Sequence, residues 1–354
     1  FNKGKFMKIL HTADIHLGAK NIKLPLDKQT EIRNEQNLLI TKLFQKAYQE
    51  DYDIVLICGD LFHAKNVQSK IVANFFKAVE NFSRPVLYVK GNHDERFDFN
   101  ITLPSNFIML DNYNPFYRLD NVVFFGQVAP DIIEKYYDKT LKNILLLHGD
   151  INNRTSSDFI DINIYTSKYH FDYIALGHVH SSSKFDIAGV VASYPGSLFS
   201  NGFDETGDKG YIEVIVEDNV KVNFVSYPSR HYCIVNCDIT GLANYSDIIN
   251  KIKNELKDNC SRDDLARVIL SGYYTEDSEK YIHSIERDLK DSYYYFELVD
   301  NTKLKIDFEK IKNEDLSFKA EFLLLVENEE KDEELKNKIC QLGIEALRGD
   351  DISI

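Results

Sequence analysis

The chain has few cysteines and no long apolar run. Its five cysteines form an odd set that provides no disulfide framework, and Cys233 and Cys237 lack the second pair or the neighbouring histidines that a zinc site needs. No stretch reaches the roughly 18 apolar residues that a membrane-spanning helix requires. The N-terminal segment also lacks the basic, apolar and small-residue pattern of a secretory signal. These absences predict a cytoplasmic protein that does not enter a membrane.

Positive charge is also scarce. The chain has 42 Lys and Arg against 56 Asp and Glu, which gives a formal net charge of -14. Proteins gain sequence-independent affinity for nucleic acid from lysines and arginines that neutralise phosphates. We therefore expect any DNA binding by this chain alone to be weak and sensitive to salt.

Length and apolar content are sufficient for a sizeable core. The chain has 354 residues, of which 44% are hydrophobic. This length exceeds that of one domain of ordinary size, so it predicts two or three folded units.

Five hydrophobic runs end at residues that can bind metal. Helical periodicity over 33–48 and 67–79 separates the first three runs, which is the βαβ rhythm of a parallel sheet. In such sheets ligands bind beyond the carboxyl ends of the strands. The runs are Lys8 to Leu10 before Asp14 and His16, Ile54 to Ile57 before Asp60, Val86 to Val89 before Asn92, Ile144 to Leu147 before His148, and Tyr173 to Leu176 before His178 and His180.

These residue types suit a pair of divalent cations. Imidazole, carboxylate and amide oxygen bind manganese, iron or zinc without help from a thiolate. Asp60 has two carboxylate oxygens and can bridge two ions, which lie roughly 3.5–4 Å apart in bimetallic sites. A single Asp or His beside a strand is more often structural, but five clusters of complementary ligands are poorly explained in that way. The residues therefore predict a two-metal site.

The local spacing adds two expectations. In Asp14–His16 and in His178–His180 the ligands are two residues apart, so an extended backbone would point both side chains of a pair to the same side. Gly59, Gly91 and Gly177 precede ligands, where glycine allows a positive φ or a close approach of the backbone.

The ordered motifs resemble a known superfamily. They are Asp14-Ile-His16, Gly59-Asp60-Leu61-Phe62-His63, Gly91-Asn92-His93-Asp94, His148-Gly149 and Gly177-His178-Val179-His180. In this order they are similar to the calcineurin-like metallophosphoesterase superfamily. Segments 10–18, 59–63, 194–197 and 205–210 further resemble the SbcD-type DNA repair exonucleases, the bacterial counterparts of the meiotic-recombination nuclease. This resemblance covers residues 7 to about 230.

The resemblance implies a set of ligands for each metal. One ion would be held by Asp14, His16, Asp60 and His180, and the other by Asp60, Asn92, His148 and His178. Asp60 is then the bridge. The resemblance further implies that the ions are Mn²⁺, with Fe²⁺ and Zn²⁺ as alternatives, and that they activate water for attack on a phosphodiester.

The same resemblance implies catalytic residues. His93, the motif histidine without a metal, would stabilise or protonate the leaving sugar oxygen, a role worth about 10²–10⁴-fold in rate. Asp94 would orient the His93 ring. His63 matches a family histidine, and a role in the catalytic pocket and a structural role are both open for it. The histidines outside any ligand pattern, which we expect to be packing or surface residues, are His11, His170, His231 and His283.

Three functions are open at this stage. The first is a manganese-dependent DNA exonuclease and endonuclease for DNA end processing, repair and recombination, working with an SMC-like (SbcC-type) ATPase subunit. The second is a phosphodiesterase for a small nucleotide or lipid-linked ester, since the same motifs serve many phosphoesters. The third is a scaffold that delivers an ATPase to DNA ends, which the complete ligand set disfavours. Candidate DNA contacts, each of which is more commonly a solvated surface charge, are Lys20, Lys23, Lys65, Arg96, Arg154 and Lys184.

The resemblance also implies the fold and the domain layout. We expect an α/β fold: a metallophosphoesterase β-sandwich flanked by helices, a small α/β capping domain and a C-terminal helical segment. The expected ranges are 7–230, 231–315 and 316–354. In the last range Leu335, Ile339, Leu342 and Ala346 form an apolar stripe at helical spacing, which would contact the ATPase or pack on the capping domain. Relatives commonly form homodimers, so a homodimer is a further expectation.

Overall fold

A computed structural model describes residues 6–19, 23–63, 67–94, 102–275, 281–305, 307–314 and 318–348. The chain divides into two compact units, Phe1–Cys233 and Ile234–Ile354. Three of the candidate DNA contacts, Lys20, Lys65 and Arg96, lie outside the described residues. Within those residues no helix is both long and apolar enough to cross a bilayer.

The first unit alternates strands and helices along its N-terminal half and is mostly strand afterwards. Its helices are α1 (Leu26–Gln49), α2 (Ser69–Phe82), α3 (Pro130–Glu134) and α4 (Asn163–Thr166). Its strands are β1 (Met7–Thr12), β2 (Ile54–Cys58), β3 (Val86–Val89), β4 (Phe107–Met109), β5 (Phe116–Leu119), β6 (Val122–Phe125), β7 (Lys142–His148), β8 (Tyr173–Gly177), β9 (Ser183–Ile187), β10 (Val190–Tyr194), β11 (Gly210–Val216) and β12 (Val220–Ser226). A further strand, β13 (Tyr232–Asp238), crosses the boundary into the second unit.

Two six-stranded sheets form the first unit. The first has the order β12-β11-β1-β2-β3-β4 and the second β5-β6-β7-β8-β10-β9. Strands β1 to β4 are parallel to one another, and so are β6, β7, β8 and β10, while β11, β12, β5 and β9 run antiparallel to their neighbours. The carboxyl ends of the parallel strands carry the predicted ligands, as an α/β sheet requires of its binding edge.

The sandwich has three hydrophobic cores, one between the sheets and one on the outer face of each sheet. Successive side chains of a strand point to opposite faces of its sheet, and in β2 Leu56 packs between the two sheets while Val55 packs against the helices outside. The outer core includes Phe44 of α1 and Phe75 of α2, and a third core on the far side of the second sheet includes Ile133 of α3. The predicted α/β sandwich flanked by helices is therefore confirmed.

Helix α1 begins well before its periodicity indicated. The apolar pattern predicted a start near Arg33, whereas the helix begins at Leu26, directly after Pro25. The early turns are mostly exposed and so have no apolar stripe to detect. A proline just before the helix is compatible with this start, because the first helical N–H groups have no partner in the helix.

The second unit is a smaller α/β structure. A three-stranded sheet has the order β13-β14-β16, with β14 at Leu265–Ser271 and β16 at Tyr295–Asp300 in parallel. Helices α5 (Tyr245–Asn259) and α6 (Ile282–Leu289) pack on it through Ile248, Ile252 and Ile285. A two-stranded pair joins β15 (Tyr273–Tyr274) and β17 (Lys303–Leu304), and helices α7 (Phe308–Glu314), α8 (Phe318–Glu329) and α9 (Glu333–Arg348) follow.

The C-terminal helices pack on a face that only partly overlaps the predicted stripe. In α9 the buried residues are Cys340 and Ile344, which form a small core with Leu323 and Val326 of α8. Of the predicted stripe, Leu335 and Ala346 are exposed, and Ile339 and Leu342 are half-buried. Ile339 packs against this small core but the exposed stripe residues do not, so the stripe is only partly a core face, and its contact with an ATPase stays a prediction.

Candidate metal centre

All seven predicted metal ligands lie at one edge of the sandwich. They follow the carboxyl ends of β1, β2, β3, β7 and β8. Ligand atoms of Asp14, His16 and His180 lie within 4.8 Å of one another, and so do those of Asp14, Asp60 and His148. Asp14 and His180, which are 166 positions apart in the chain, therefore lie in the same site.

Asp60 stands between two groups of ligands. Its Oδ2 lies 3.6 Å from Nε2 of His16 and 3.6 Å from Nε2 of His148. Its other oxygen, Oδ1, accepts a hydrogen bond from the backbone N–H of His93 at 3.0 Å, which fixes the carboxylate plane. One carboxylate oxygen thus faces both groups, as a bridging ligand must.

On one side of Asp60, the imidazoles of His16 and His180 point their Nε2 atoms toward each other. Nε2 of His16 and Nε2 of His180 are 3.1 Å apart, and Oδ1 of Asp14 lies 3.9 Å from the same His180 nitrogen. Ligand atoms that each lie about 2.1 Å from one cation are separated by roughly 3.0–3.4 Å in octahedral or tetrahedral geometry. The spacing of the two nitrogens fits a shared cation.

On the other side, His148 contacts two further predicted ligands. Its Nε2 lies 3.1 Å from Oδ1 of Asn92, and its ring meets the His178 ring edge-on with centroids 5.3 Å apart. Its Nδ1 lies 2.9 Å from the carbonyl oxygen of Cys58. Since a carbonyl only accepts, Nδ1 carries the proton and Nε2 presents a lone pair to the site.

The backbone at the ligands is not extended. Asp14, His16 and Asp60 have φ of 50°, 47° and 51°, in the left-handed region, and His178 has φ of 104°. The expectation that an extended backbone aligns each ligand pair is therefore wrong. Left-handed turns swing the side chains into the site, and the backbone N–H of His178 donates to both carboxylate oxygens of Asp14, at 3.1 and 2.9 Å. Such conformations cost energy and concentrate at functional sites.

Two glycines leave room for the ligands. At Gly59, where φ is 83°, an added Cβ would lie 2.1 Å from Nδ1 of His148. At Gly91 it would lie 2.1 Å from Oδ1 of Asp60. Both positions therefore require glycine because a metal ligand occupies the space of the missing side chain, which refines the expectation of close backbone approach.

Burial shifts the pKa values of the ionisable groups of the site, and a cation would offset the shift at the carboxylates. It raises the pKa of Asp14 well above its usual value and also raises the pKa of Asp60. Burial lowers the pKa of His16 to about 3 and that of His148 to about 4, so both rings stay in the neutral form that binds metal. Buried carboxylates are costly when charged unless an opposite charge is near. The donor set and its burial fit divalent cations.

His63 and His93 form the exposed mouth of the site. Both side chains are exposed, and their rings stack with centroids 5.5 Å apart and an interplanar angle of 20°. The His93 ring also lies edge-on to His16, at 4.9 Å between centroids. Burial and the neighbouring His93 lower the pKa of His63. The two imidazoles are placed where a substrate reaches the ligand cluster from solvent.

Asp94 does not have the contacts that its predicted role requires. Its carboxylate is fully buried and accepts from the backbone N–H groups of Leu61, Phe62 and Gly91, at 3.0 to 3.2 Å. The nearest partner of the His93 ring is instead the carbonyl oxygen of His63, 3.4 Å from Nδ1. Asp94 therefore joins the loop after β2 to the loop after β3 through backbone N–H groups.

Glu205 was not among the predicted site residues. Its Oε1 lies 2.7 Å from Nδ1 of His180. The hydrogen bond to Glu205 raises the pKa of His180, against the effect of burial. Burial alone would raise the pKa of Glu205, but the bond from His180 and other neighbours leave it lowered. The sequence did carry a signal, because Glu205 opens the segment 205–210 that supported the resemblance, but its distance from His180 along the chain hid the pairing.

Of the histidines outside any ligand pattern, His11 is a core residue. His11 is buried, with Nδ1 2.8 Å from the Tyr173 hydroxyl and Nε2 3.1 Å from the Leu176 carbonyl oxygen. Burial lowers the pKa of His11 to about 3, as expected of a packing residue. The candidate DNA contacts within the described residues, all of them exposed, are Lys23, Arg154 and Lys184.

Comparisons with known proteins agree with this site. The profile of the family described as Calcineurin-like phosphoesterase matches residues 7–182. The SbcD component of the nuclease SbcCD from Staphylococcus epidermidis is 25% identical over 303 residues, covering 70% of this chain and 76% of that protein. The match to the family spans all seven predicted ligands, which fall between residues 14 and 180.

Solved structures with a related arrangement include two phosphoesterases. A predicted phosphoesterase from Streptococcus pneumoniae TIGR4 has 17% identity and a TM-score of 0.34, covering 63% of this chain and 94% of that one. A dimetal phosphatase from Danio rerio has 11% identity and a TM-score of 0.42, covering 62% and 99%. The ligand cluster and the match over residues 7–182 together show that this part of the chain is a calcineurin-like metallophosphoesterase domain and that the chain is a metal-dependent phosphodiesterase.

Proposed function

We propose that the chain is a manganese-dependent DNA exonuclease and endonuclease that hydrolyses phosphodiester bonds with two metal ions. The observation that carries the two-metal part is the position of Asp60, whose Oδ2 lies 3.6 Å from both His16 and His148. The similarity to a nuclease component over 70% of the chain supports DNA as the substrate. Cleavage in DNA end processing, repair and recombination is the role that this similarity favours.

The ligands divide into two sets that share one residue. The first set is Asp14, His16, Asp60 and His180, and the second set is Asp60, Asn92, His148 and His178. When bound, two divalent ions lower the pKa of water and neutralise charge on the phosphoryl oxygens. The imidazole and oxygen donors suit Mn²⁺, and also Fe²⁺ or Zn²⁺.

The protein supplies the remaining chemistry from the mouth of the site. The His93 backbone N–H holds Oδ1 of Asp60, which leaves the exposed His93 ring beside the shared carboxylate. In this proposal His93 donates a proton to the leaving sugar oxygen. His63, stacked on His93, would help to hold the scissile phosphate. Asp94 keeps the two loops that carry Asp60 and His93 together through its backbone contacts.

An open mouth supports a polymeric substrate over a small ester. Asn92, His93 and His63 are all exposed, so a phosphodiester within a longer strand can approach them. A small nucleotide or lipid-linked ester, the alternative substrate, is typically enclosed by its pocket. One exposed aromatic also lies on this edge: Tyr113, 99% exposed, in the turn between β4 and β5.

The C-terminal helices support a partner. Their exposed large apolar side chains are Phe318 (70%), Leu325 (61%), Leu335 (47%), Leu324 (46%) and Leu347 (40%). Exposed apolar side chains gathered on one short region mark interaction surfaces more often than chance. We propose that this region binds an SMC-like, SbcC-type ATPase, in keeping with the relative's being one component of a larger nuclease. Co-purification with a co-expressed ATPase tests this, and Leu325→Glu should abolish it.

The first test of function is cleavage of end-labelled linear duplex and single-stranded DNA in Mn²⁺ at low salt. We expect cleavage by the wild-type chain and at least about 10²-fold slower cleavage by His93→Ala, which serves as the control for contaminating nucleases. Hydrolysis of bis(p-nitrophenyl) phosphate is measured in parallel. Turnover of this small ester with DNA left intact would contradict the nuclease proposal and favour a small phosphoester as substrate.

A further inference from the structure

The segment that follows β10 turns back and holds His180 from two directions. Glu205 contacts the ring, with Oε1 2.7 Å from Nδ1, and its side chain is only 12% exposed. Lys209, which is 3% exposed, donates from Nζ to the backbone carbonyl oxygen of His180 at 3.3 Å. One short stretch of chain therefore fixes both the ring and the backbone of a single ligand.

Glu205 is itself held in place before it meets the ring. Its second oxygen, Oε2, accepts from the backbone N–H of Asn201 at 3.1 Å and from the hydroxyl of Ser197 at 3.3 Å. Its backbone carbonyl accepts from the hydroxyl of Ser200 at 2.8 Å. The carboxylate cannot swing freely to solvent, so the bond to His180 has one geometry.

This geometry decides which nitrogen of His180 faces the ligand cluster. A carboxylate at 2.7 Å from Nδ1 places the proton on that nitrogen. Nε2 then presents its lone pair at the point 3.1 Å from Nε2 of His16. A charged acceptor behind an imidazole also makes the other nitrogen a stronger electron donor, and the loss of such a partner typically costs about 10–100-fold in metal affinity.

We propose that Glu205 is a positioning residue that orients His180 and strengthens its bond to the divalent cation of the first ligand set, with Lys209 anchoring the same loop. The inference rests on the division of ligands given under the proposed function. It assigns to Glu205 an effect on one of the two ions, since Asn92, His148 and His178 have no contact with it among the described hydrogen bonds.

The experiment is isothermal titration calorimetry, in which Mn²⁺ is added to metal-free protein. We expect Glu205→Ala to weaken one of two sites by about 10–100-fold and to leave the other unchanged. Glu205→Gln keeps an oxygen that accepts from Nδ1 but removes the charge, so it should fall between wild type and Glu205→Ala. The matched control is Glu213→Gln, which removes a partly buried carboxylate that pairs with Lys8 and Tyr52 away from the site.

A second readout separates positioning from a general loss of structure. The ¹⁵N shifts of the His180 ring in metal-free protein report which nitrogen carries the proton. We expect Nδ1–H in wild type and in Glu205→Gln, and a mixture of tautomers in Glu205→Ala. Unchanged tautomer and unchanged affinity in Glu205→Ala would overturn the inference, and so would equal weakening of both sites.

The outcomes also distinguish this inference from the proposed nuclease function. A wild-type protein that binds two Mn²⁺ ions but leaves DNA intact would contradict the nuclease function, while the effect of Glu205→Ala on one site would still be measured. A wild-type protein that binds fewer than two ions would overturn the division of ligands and this inference with it.

Discussion

The two proposed ligand sets hold one histidine each in different ways. His148 donates from Nδ1 to a peptide carbonyl of β2, deep between the sheets, and its side chain is 2% exposed. His180 donates from Nδ1 to the carboxylate of Glu205, and its side chain is 33% exposed. The second set is thus built into the core of the sandwich, whereas the first set depends on a loop that folds over its edge.

This difference indicates that the core fixes one half of the site and that the loop over 197–209 tunes the other. A peptide carbonyl cannot change its charge, so the environment of His148 is set by the packing of β2 against β7. A carboxylate that accepts from one imidazole nitrogen makes the other nitrogen a stronger electron donor, as we propose for Glu205 and His180. The predictions below test whether the two halves behave as separate units that meet only at Asp60.

Loss of the shared residue should have the largest effect. Each preorganised electrostatic contact in a site contributes about 10²–10³-fold in rate. Because Asp60 faces both sets, Asp60→Ala should remove both ions and reduce DNA cleavage by at least about 10⁴-fold. Elemental analysis after gel filtration measures the ions, and Asp14→Ala is the matched control, expected to lose one ion. An Asp60→Ala protein that still holds one ion would show that the bridge is not shared.

His93→Ala should separate chemistry from metal binding. The His93 ring is exposed and its backbone, not its side chain, holds Asp60. We therefore expect two bound ions and a kcat lower by about 10²–10⁴-fold, the range of a lost general acid. Single-turnover cleavage and metal content are measured on the same sample. Loss of ions in this variant would count against the assignment of His93 as the proton donor.

Gly59→Ala should damage the second set through packing. An added Cβ would lie 2.1 Å from Nδ1 of His148, in a residue whose φ is 83°. Gly189 has φ of 81° and open space around an added Cβ, so Gly189→Ala measures the cost of the backbone conformation alone, about 1–2 kcal/mol. We expect Gly59→Ala to lose clearly more stability in urea unfolding, and to lose one ion as well. An equal loss of stability in the two variants would contradict this prediction, because it would mean that His148 can move to accept the added Cβ.

Much of this site could be predicted because the ends of buried strands can be recognised in the sequence. Hydrophobic runs and the types of residue that follow them located all seven ligands at one edge, since parallel strands end together. The apolar run of β2 is continuous because both faces of its sheet are buried, and Asp60 is the first carboxylate after it.

The parts that the sequence did not predict depend on the backbone or on distant partners. Positive φ at Asp14 and His16 is a property of the folded turn, and no spacing rule reports it. The carboxylate of Asp94 accepts from backbone N–H groups 32 and 33 residues away, at Phe62 and Leu61, and any residue except proline supplies such a group. Glu205 meets His180 only because the loop after β10 turns back, a path that apolar periodicity does not encode.

The smallest effect should show over which half the DNA strand passes. Tyr113 lies in the turn after β4, next to the strand that precedes Asn92, and so on the side of the second set. Lys184 lies in β9, paired with Ser193 of β10 beyond the strand that precedes His180, on the side of the first set. The Tyr113 turn is closed by the Asp111 carboxylate, which accepts from the N–H groups of residues 113 and 114.

A rigid, exposed ring of this kind can stack on a base, which contributes about 1–3 kcal/mol per base in single-strand binding. We expect Tyr113→Ala to weaken the binding of single-stranded DNA by about fivefold or more, and Tyr113→Phe to leave it unchanged, with hydrolysis of the small ester the same in all three proteins. Lys184→Ala should act through salt, reducing the dependence of binding on ionic strength by about one ion. An effect of Lys184→Ala without one of Tyr113→Ala would place the strand over the loop-held first set, and the reverse would place it over the core-held second set.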